Sequence, residues 1–198
     1  MTSDVDICNL ALQRLGAKSI SALVEDSTAG RECNRVYAHA RDSEIRSHSW
    51  SFARARVELA ADATDPIFGY AKRYTLPAGF LRLLPVRNVA TNTLILGGID
   101  PNIDWQIEGG YIMTDDSAPL QIIYLQSISD PNLFDQLFTD LLVARIAMDI
   151  AEKVTQSNAK KLNAETRYVS IKMEAKKINA FERPPQEAPA DEWVTARL

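Results

Sequence analysis

The sequence predicts an α+β fold in which N- and C-terminal helices form a helical bundle, a small antiparallel β lobe is inserted between them, and an extended C-terminal arm ends the chain. Apolar residues recur at helical spacing in the first 56 residues and again after residue 130. Between these stretches, paired glycines and Asp-Pro or Leu-Pro steps come too often for long helices. The predicted ranges are 1–56 for the first half of the bundle, 57–130 for the lobe, 131–180 for the second half of the bundle and 181–198 for the arm.

Two helices are predicted before the lobe. Ser3 and Asp6 have the spacing of a capping box, and Gly16 stands where a left-handed residue would end the first helix. The second helix is predicted from Ser27 to about His48. Apolar residues at helical spacing define the buried faces, with Cys8, Leu12 and Leu15 in the first helix and Cys33, Val36, Tyr37 and Ala40 in the second.

The clearest local element of the lobe is a β-hairpin. Trp105 and Ile107 alternate with polar residues, Gly109-Gly110 suits a two-residue primed turn, and residues 111–114 supply the returning strand. Further strands are predicted at 70–76, 80–89, 93–96 and 120–126. This pattern is typical of a small antiparallel sheet.

Helices return in the last third of the chain. Asp130-Pro131 has the composition of an N-cap followed by the first helical residue, and the helix is predicted to run toward Val154. A break near Ser157 leads to a final amphipathic helix. Its predicted inner residues are Leu162, Val169 and Met173, and its predicted outer residues are Lys160, Lys161, Lys172, Lys176 and Lys177. Prolines from Pro184 onward then exclude helix and predict the extended arm.

The composition is that of a globular protein with a mild excess of acid. Its 198 residues are 46% hydrophobic, which supports a buried core without disulfides or metal. The net charge of −4 argues against a general DNA binder, because such proteins cluster Lys and Arg on phosphates. We expect no membrane span, since no apolar run reaches ~18 residues, and no secretory signal at the N-terminus. Cys8 and Cys33 are interpreted as reduced thiols in a reducing cytoplasm.

Charge is divided by region. Residues 31–56 carry a net +3 and residues 152–183 a net +4, whereas residues 57–130 carry a net −5. Basic helices and an acidic lobe of this kind suit a head-to-side contact between identical subunits. The alternative is that these are solvated surfaces that happen to differ.

No motif with a recognisable catalytic mechanism is present in the sequence. The paired glycines lack the lysine of a phosphate-binding loop, and no serine has a nucleophile-elbow pattern. His39 and His48 are nine residues apart, and Cys33 is poorly placed to share a metal with His39. We therefore expect no enzyme activity, no cofactor and no resident metal.

Paired acids leave one alternative open. Asp4/Asp6, Asp62/Asp65 and Asp115/Asp116 fall where caps or turns are expected, and there Asp bonds backbone amides. A metal-dependent nuclease would instead need several of these carboxylates to converge from separate elements.

Two features predict contacts with partners. Trp50 and Phe52 alternate with neighbouring arginines, a pattern that binds single-stranded nucleic acid in some proteins but also locks a junction between packed elements. We favour a structural junction between bundle and lobe. At the chain end, Trp193, Val194 and Leu198 follow a proline spacer, which is typical of an apolar anchor that docks on another subunit. The alternatives are docking on the same chain and a disordered segment.

Short motifs follow one another in a fixed order along the whole chain. They are Asn9-Leu10-Ala11-Leu12 through Leu15-Gly16, Ile20 and Leu23 before Glu25-Asp26-Ser27, Cys33, Tyr37, Arg41-Asp42, His48-Ser49-Trp50-Ser51-Phe52-Ala53 with Arg56 and Leu59, and Tyr74-x-Leu76-Pro77 followed by Leu81-Arg82 and Val86. In this order the sequence resembles the tail tubular, or head-to-tail adaptor (connector), proteins of short-tailed bacteriophages. The most specific part is His48-Ser49-Trp50-Ser51-Phe52-Ala53 with Arg56 and Leu59. In that family a helix likewise ends in Trp-x-Phe before the β region.

The resemblance implies a structural virion protein with no active site. Such adaptors assemble as a ring, usually twelve-fold, beneath the portal of the filled capsid. They present a surface to the tail nozzle or next tail component, and viral DNA passes through their central channel without specific binding. The implied location is the neck of the virion, with the host cytoplasm during assembly. The apolar residues of the arm would then contact a neighbouring subunit or the portal protein.

Overall fold

The computed structural model describes residues 2–87, 94–96 and 105–182. Within these ranges the fold is mixed α+β, with four helices, two small antiparallel three-stranded sheets and one further pair of strands. The chain divides into two compact units. The helical unit comprises Met1–Ala55, Pro77–Arg82 and Tyr124–Asn179, and the β unit is built on Arg56–Leu76 and Leu83–Ile123.

Helix α1 spans Asp4–Leu15 and confirms both predicted ends. The Asp6 amide donates to Ser3 Oγ at 3.1 Å, and the Ser3 amide donates to Asp6 Oδ2 at 2.9 Å, so the capping box is complete. Gly16 follows in the left-handed conformation with φ = 66°, and its amide donates to the carbonyl oxygen of Gln13 at 3.0 Å. Glycine adopts this backbone without steric cost.

Helix α2 spans Thr28–Ser47, and Ser27 caps it by accepting a hydrogen bond from the Gly30 amide, as its predicted start requires. Helix α3 spans Gln136–Thr155 and packs against both α1 and α2. Helix α4 spans Asn158–Phe181. The break between α3 and α4 falls where the sequence predicts it.

The predicted start of α3 at Asp130-Pro131 is wrong. Asp130 caps only the short 3₁₀ turn Pro131–Leu133. The long helix begins after Asp135, whose carboxylate accepts hydrogen bonds from the amides of Leu137 and Phe138 at 3.1 and 3.4 Å. Asp130 and Asp135, five residues apart, each cap a helical segment, and the continuous helix follows the second of them.

Eight strands lie within the described ranges, in the chain order β1 (Arg54–Leu59), β2 (Lys72–Thr75), β3 (Phe80–Leu83), β4 (Pro85–Arg87), β5 (Leu94–Leu96), β6 (Trp105–Glu108), β7 (Tyr111–Thr114) and β8 (Leu120–Gln126). One sheet has the order β1-β8-β3 and the other β2-β7-β6, while β4 pairs with β5. The predicted hairpin is confirmed as β6 and β7, with Ile107 opposite Ile112. Gly109 and Gly110 have φ of 55° and 89°, as a primed turn requires.

The prediction that the first 56 residues are helical is wrong at its end. Helix α2 ends at Ser47, and His48 is already extended with ψ = 154°. A 3₁₀ turn, Ser51–Ala53, leads directly into β1, whose residues alternate between exposed and half-buried. That alternation has the period of a strand, and the arginines at Arg54 and Arg56 occupy its exposed positions.

Each unit has its own apolar core. In the helical unit α3 contributes most, and its buried residues are Phe138, Thr139, Leu141, Leu142, Val143, Ala144, Ile146, Ala147, Ile150 and Ala151. Cys8 and Cys33 are buried free thiols in α1 and α2, as predicted. The β unit buries an aromatic and aliphatic set that comprises Tyr74, Leu83, Leu84, Ile112, Leu120, Ile122 and Ile123.

The predicted inner face of α4 is wrong. The residues expected inside, Leu162, Val169 and Met173, are all exposed. The helix instead buries the face that carries Tyr168 and Asn179. Tyr168 hydrogen-bonds Glu44 of α2, and Asn179 Oδ1 accepts a hydrogen bond from the Ser51 amide at 3.2 Å. Polar partners rather than apolar periodicity therefore select the buried face.

The arm lies largely outside the described residues. Trp193, Val194 and Leu198 belong to the part of the chain that the structure does not describe. None of the described helices is long and apolar enough to cross a membrane.

Candidate functional site

Trp50 is fully buried in the helical unit. Its indole Nε1 donates to the backbone carbonyl oxygen of Glu44 at 2.9 Å. Its ring meets Phe138 edge-on at a centroid distance of 5.2 Å and His48 edge-on at 4.8 Å. Both the apolar body and the polar atom of this side chain are therefore satisfied, as burial of a tryptophan requires.

Phe52 belongs to the same aromatic cluster, which we define as Trp50, Phe52, Phe134 and Phe138. The Phe52 ring lies 4.9 Å from Phe138 and 5.8 Å from Phe134, measured between centroids. All four residues belong to the helical unit. The cluster ties the turn after α2 to the start of α3. Its further role at the junction with the β lobe stays a prediction.

The burial of Trp50 bears on the nucleic-acid alternative. A base stacks on an aromatic ring only when a ring face is open to it. Trp50 has no exposed surface, while Phe52 is half-buried and Arg54 and Arg56 lie exposed on β1. Single-stranded nucleic acid would meet arginines but no tryptophan face here, which argues against that alternative.

A buried carboxylate forms the most connected polar group of the helical unit. Glu44, on α2, is only 1% exposed. Its Oε1 accepts hydrogen bonds from the Tyr168 hydroxyl at 2.6 Å and from Arg145 Nη1 at 3.1 Å. Its Oε2 lies 3.1 Å from Lys172 Nζ, which also donates to the Tyr168 hydroxyl at 2.6 Å. We call Glu44, Arg145, Tyr168 and Lys172 the Glu44 network.

The surroundings of Glu44 favour the ionised form of its carboxylate. Burial raises the pKa of Glu44, but hydrogen bonds from Tyr168 and Lys172 and the positive charges of Lys172 and Arg145 outweigh it and hold the pKa below its ordinary value. For Lys172, burial lowers the pKa, yet its hydrogen bonds to Tyr168 and Glu44 raise it overall. The network therefore holds an ionised carboxylate between two cations.

Sequence reasoning missed Glu44, although a signal for it exists. Cys33, Tyr37, Ala40 and Glu44 follow one another at steps of four, three and four residues, so the carboxylate falls on the buried stripe of α2. A charged residue in phase with an apolar stripe requires a buried partner. Which distant cations supply it is visible only in the fold.

The paired acids of the nuclease alternative are engaged in local structure. Asp115 Oδ1 accepts a hydrogen bond from the Ala71 amide at 2.7 Å, and Asp116 Oδ1 accepts one from the Ser117 amide at 3.1 Å. Asp62 Oδ2 lies 3.1 Å from Arg73 Nε. Among residues 2–87, 94–96 and 105–182, no three acid, histidine or cysteine side chains are grouped closely enough to hold a metal ion.

Two exposed apolar surfaces stand out. On α4, Leu162, Val169 and Met173 are 64%, 52% and 65% exposed, and we call them the α4 stripe. In the loop between β1 and β2, Ile67 and Phe68 are 98% and 88% exposed, and we call them the Ile67–Phe68 knob. Single exposed apolar residues are normal on a protein surface, but contiguous ones mark sites of interaction.

Comparison with known proteins gives no independent assignment. No protein-family model matches this sequence, and no curated protein matches it significantly.

Proposed function

We propose that this chain is a structural virion protein, a head-to-tail adaptor of a short-tailed bacteriophage. Its copies assemble as a ring beneath the portal, connect the capsid to the tail nozzle or next tail component, and leave a channel for genome passage. The function is mechanical and needs neither an active site nor a cofactor.

One observation carries the proposal, namely the order of motifs around Trp50-x-Phe52. In the family that the sequence resembles, a helix ends in Trp-x-Phe before the β region. Here α2 ends at Ser47, the aromatic pair follows in the turn, and β1 begins at Arg54. The aromatic cluster gives this motif a physical role, because it ties the helix exit to α3.

Within the proposed ring, the helices form a bundle that serves as the body of each subunit. The acidic β lobe projects to one side, toward the portal or the tail. The extended C-terminal arm, anchored by Trp193, reaches a neighbouring subunit or the portal. Each contact can be weak, since many copies around a ring add avidity.

The charge of the chain agrees with a channel that releases DNA. A net charge of −4 differs from that of proteins that hold DNA through clustered Lys and Arg. A strongly basic channel would retain the genome that it must pass during ejection.

The arm supplies the test of this proposal. Deletion of residues 183–198 should leave a folded chain that no longer joins portal-bearing heads. A matched pair of single variants refines the test: Trp193→Ala should weaken joining, while Thr195→Ala in the same segment should not. Folding is checked by circular dichroism, and joining by sedimentation with purified heads. Normal joining by the truncated chain would refute the role of the arm.

A further inference from the structure

We infer that the Ile67–Phe68 knob of one copy docks on the α4 stripe of the next copy. Neighbouring subunits then associate through two different surfaces, one from each partner. The inference rests on the proposed ring and names the contact that would build it. It follows from the exposure, spacing and charge of the two surfaces.

The α4 stripe consists of three large apolar side chains that are exposed in the described part of the chain. Its residues Leu162, Val169 and Met173 are spaced seven and four positions apart, so they lie on one side of the helix. The buried residues Tyr168 and Ala175 define a different side. The helix thus has one face packed in its own unit and a second apolar face open to solvent.

The Ile67–Phe68 knob is presented by a loop whose base is held in place. The Asp62 amide donates to the carbonyl oxygen of Arg73 at 2.9 Å, and Asp65 Oδ1 lies 2.9 Å from Lys72 Nζ. The tip nevertheless exposes Ile67 and Phe68 almost completely. This loop is fixed at its base and carries two large apolar side chains at its tip, which suits it to docking. Because the loop is already partly ordered, binding costs less conformational entropy.

The charges around the two surfaces are opposite. Hydrogen bonds and ion pairs join the base of the loop to β2 and to the turn after β7, and this region contains four carboxylates against two cations. They are Asp62, Asp65, Asp115 and Asp116 against Lys72 and Arg73. Apart from Lys172, which pairs with the buried Glu44, helix α4 contains five basic residues against Glu165 and Glu174. Within the described residues, Lys176 and Lys177 form no ion pair, so they are free to face an acidic surface.

This complementarity favours a second copy of the chain over self-pairing of one surface. Two α4 stripes placed against each other would bring like charges together, and so would two knobs. A contact between unlike surfaces is heterologous, and repetition of one heterologous contact closes a ring when its rotation permits. The chain carries both halves of such a contact.

The test uses two double variants that each remove one surface. Ile67→Ser with Phe68→Ser removes the knob, and Val169→Ser with Met173→Ser removes the two stripe residues that lie one helical turn apart. All four side chains are exposed, so both variants should fold, and Val24→Ser, at a third site 86% exposed, is the control. Size is measured by analytical ultracentrifugation at the highest soluble concentration, and on portal-bearing heads by electron microscopy.

We expect wild-type and control chains to self-associate and each double variant to lose association. An equimolar mixture of the two variants should then form a one-to-one dimer and nothing larger, because one intact knob and one intact stripe remain. Reversing charge with Lys176→Glu and Lys177→Glu should weaken association of the otherwise intact chain. A single self-pairing surface would not produce the mixed dimer.

The opposite results overturn the inference. They are continued association of either double variant, a mixture that stays monomeric, or loss of association on truncation after residue 182 while the knob variant still associates. If wild-type and double-variant chains all form rings on heads, this contact is wrong and the proposed function stands. If the wild-type chain never associates with itself, free or on heads, both fail.

Discussion

The hydroxyl of Tyr168 lies 2.6 Å from Glu44 Oε1 and donates a hydrogen bond to that carboxylate, across 124 residues of sequence. Lys172 Nζ lies 2.6 Å from the same hydroxyl. One turn of α4 is thereby fixed to α2 by a buried polar contact. Because these residues occupy the inner side of α4, the apolar residues of the α4 stripe are left outside.

Replacement of Glu44 by Gln should destabilise the chain by about 3–5 kcal/mol, since Arg145 and Lys172 would lose their shared buried partner. The free energy of unfolding is measured by urea denaturation. Glu152→Gln is the matched control: that carboxylate is 61% exposed and pairs with Lys161 at the surface. The control should leave the free energy of unfolding close to that of wild type, because solvent screens an exposed ion pair. Equal effects of the two substitutions would contradict a buried, ionised Glu44.

The Glu44 network should make stability depend on acid pH. The native pKa of Glu44 lies below its ordinary value of 4.5, so its ionised form is preferred in the folded chain. Its contribution is fully present above pH 4.5, falls as the pH drops through that value, and is gone below the native pKa. The stability difference between wild type and Glu44→Gln should therefore shrink on acidification. A difference that stays constant from neutral pH to strong acid would contradict the assignment.

Replacement of Trp50 by Ala should cost about 3–5 kcal/mol, the usual loss for a large side chain removed from a core. Phe181→Ala is the control, because Phe181 is 75% exposed. That change should stay within about 0.5 kcal/mol. Thermal unfolding and oligonucleotide binding are measured on both variants. An unchanged melting temperature of Trp50→Ala together with lost oligonucleotide binding would restore the nucleic-acid alternative.

Replacement of Gly16 by Ala should cost about 1–2 kcal/mol, because the residue has φ = 66° and a Cβ is unfavourable in that region. A Cβ there would make an ordinary van der Waals contact with Lys160 Nζ at 3.5 Å, so the cost comes from the backbone conformation. Gly16→Asn should cost less, since asparagine tolerates the left-handed conformation better. Urea denaturation measures the free energy of unfolding of all three chains, which we expect to fall in the order wild type, Gly16→Asn, Gly16→Ala. A Gly16→Ala variant as stable as wild type would contradict the role of this residue as the end of α1.

The sequence predicts best where one local rule decides the structure. The capping box of Ser3 and the glycine turn of the hairpin involve only neighbouring residues, and both are confirmed. Prediction fails where distant groups decide. Helix α2 ends close to its predicted end at about His48, but β1 already begins at Arg54, inside the range 1–56 that was assigned to the bundle. The face of α4 is selected by Glu44 and Ser51, which no periodicity within α4 reveals.

In the candidate site, too, the residues governed by local rules could be predicted from the sequence and those governed by distant contacts could not. The buried, structural character of Trp50 was predicted from its residue type and position, because a large aromatic at a helix exit commonly packs in a core. The Glu44 network was missed, since its members come from three helices. The Ile67–Phe68 knob was missed because two apolar residues in a loop follow neither helical nor strand periodicity.

The central claim is that this chain forms a ring beneath a portal. The most direct measurement is electron microscopy of the purified chain mixed with heads that carry the portal protein encoded by the same genome, with heads alone as the control. We predict ring-shaped density beneath the portal, with an open central channel. Heads that look the same with and without the chain, together with a chain that remains a single globule, would contradict the account.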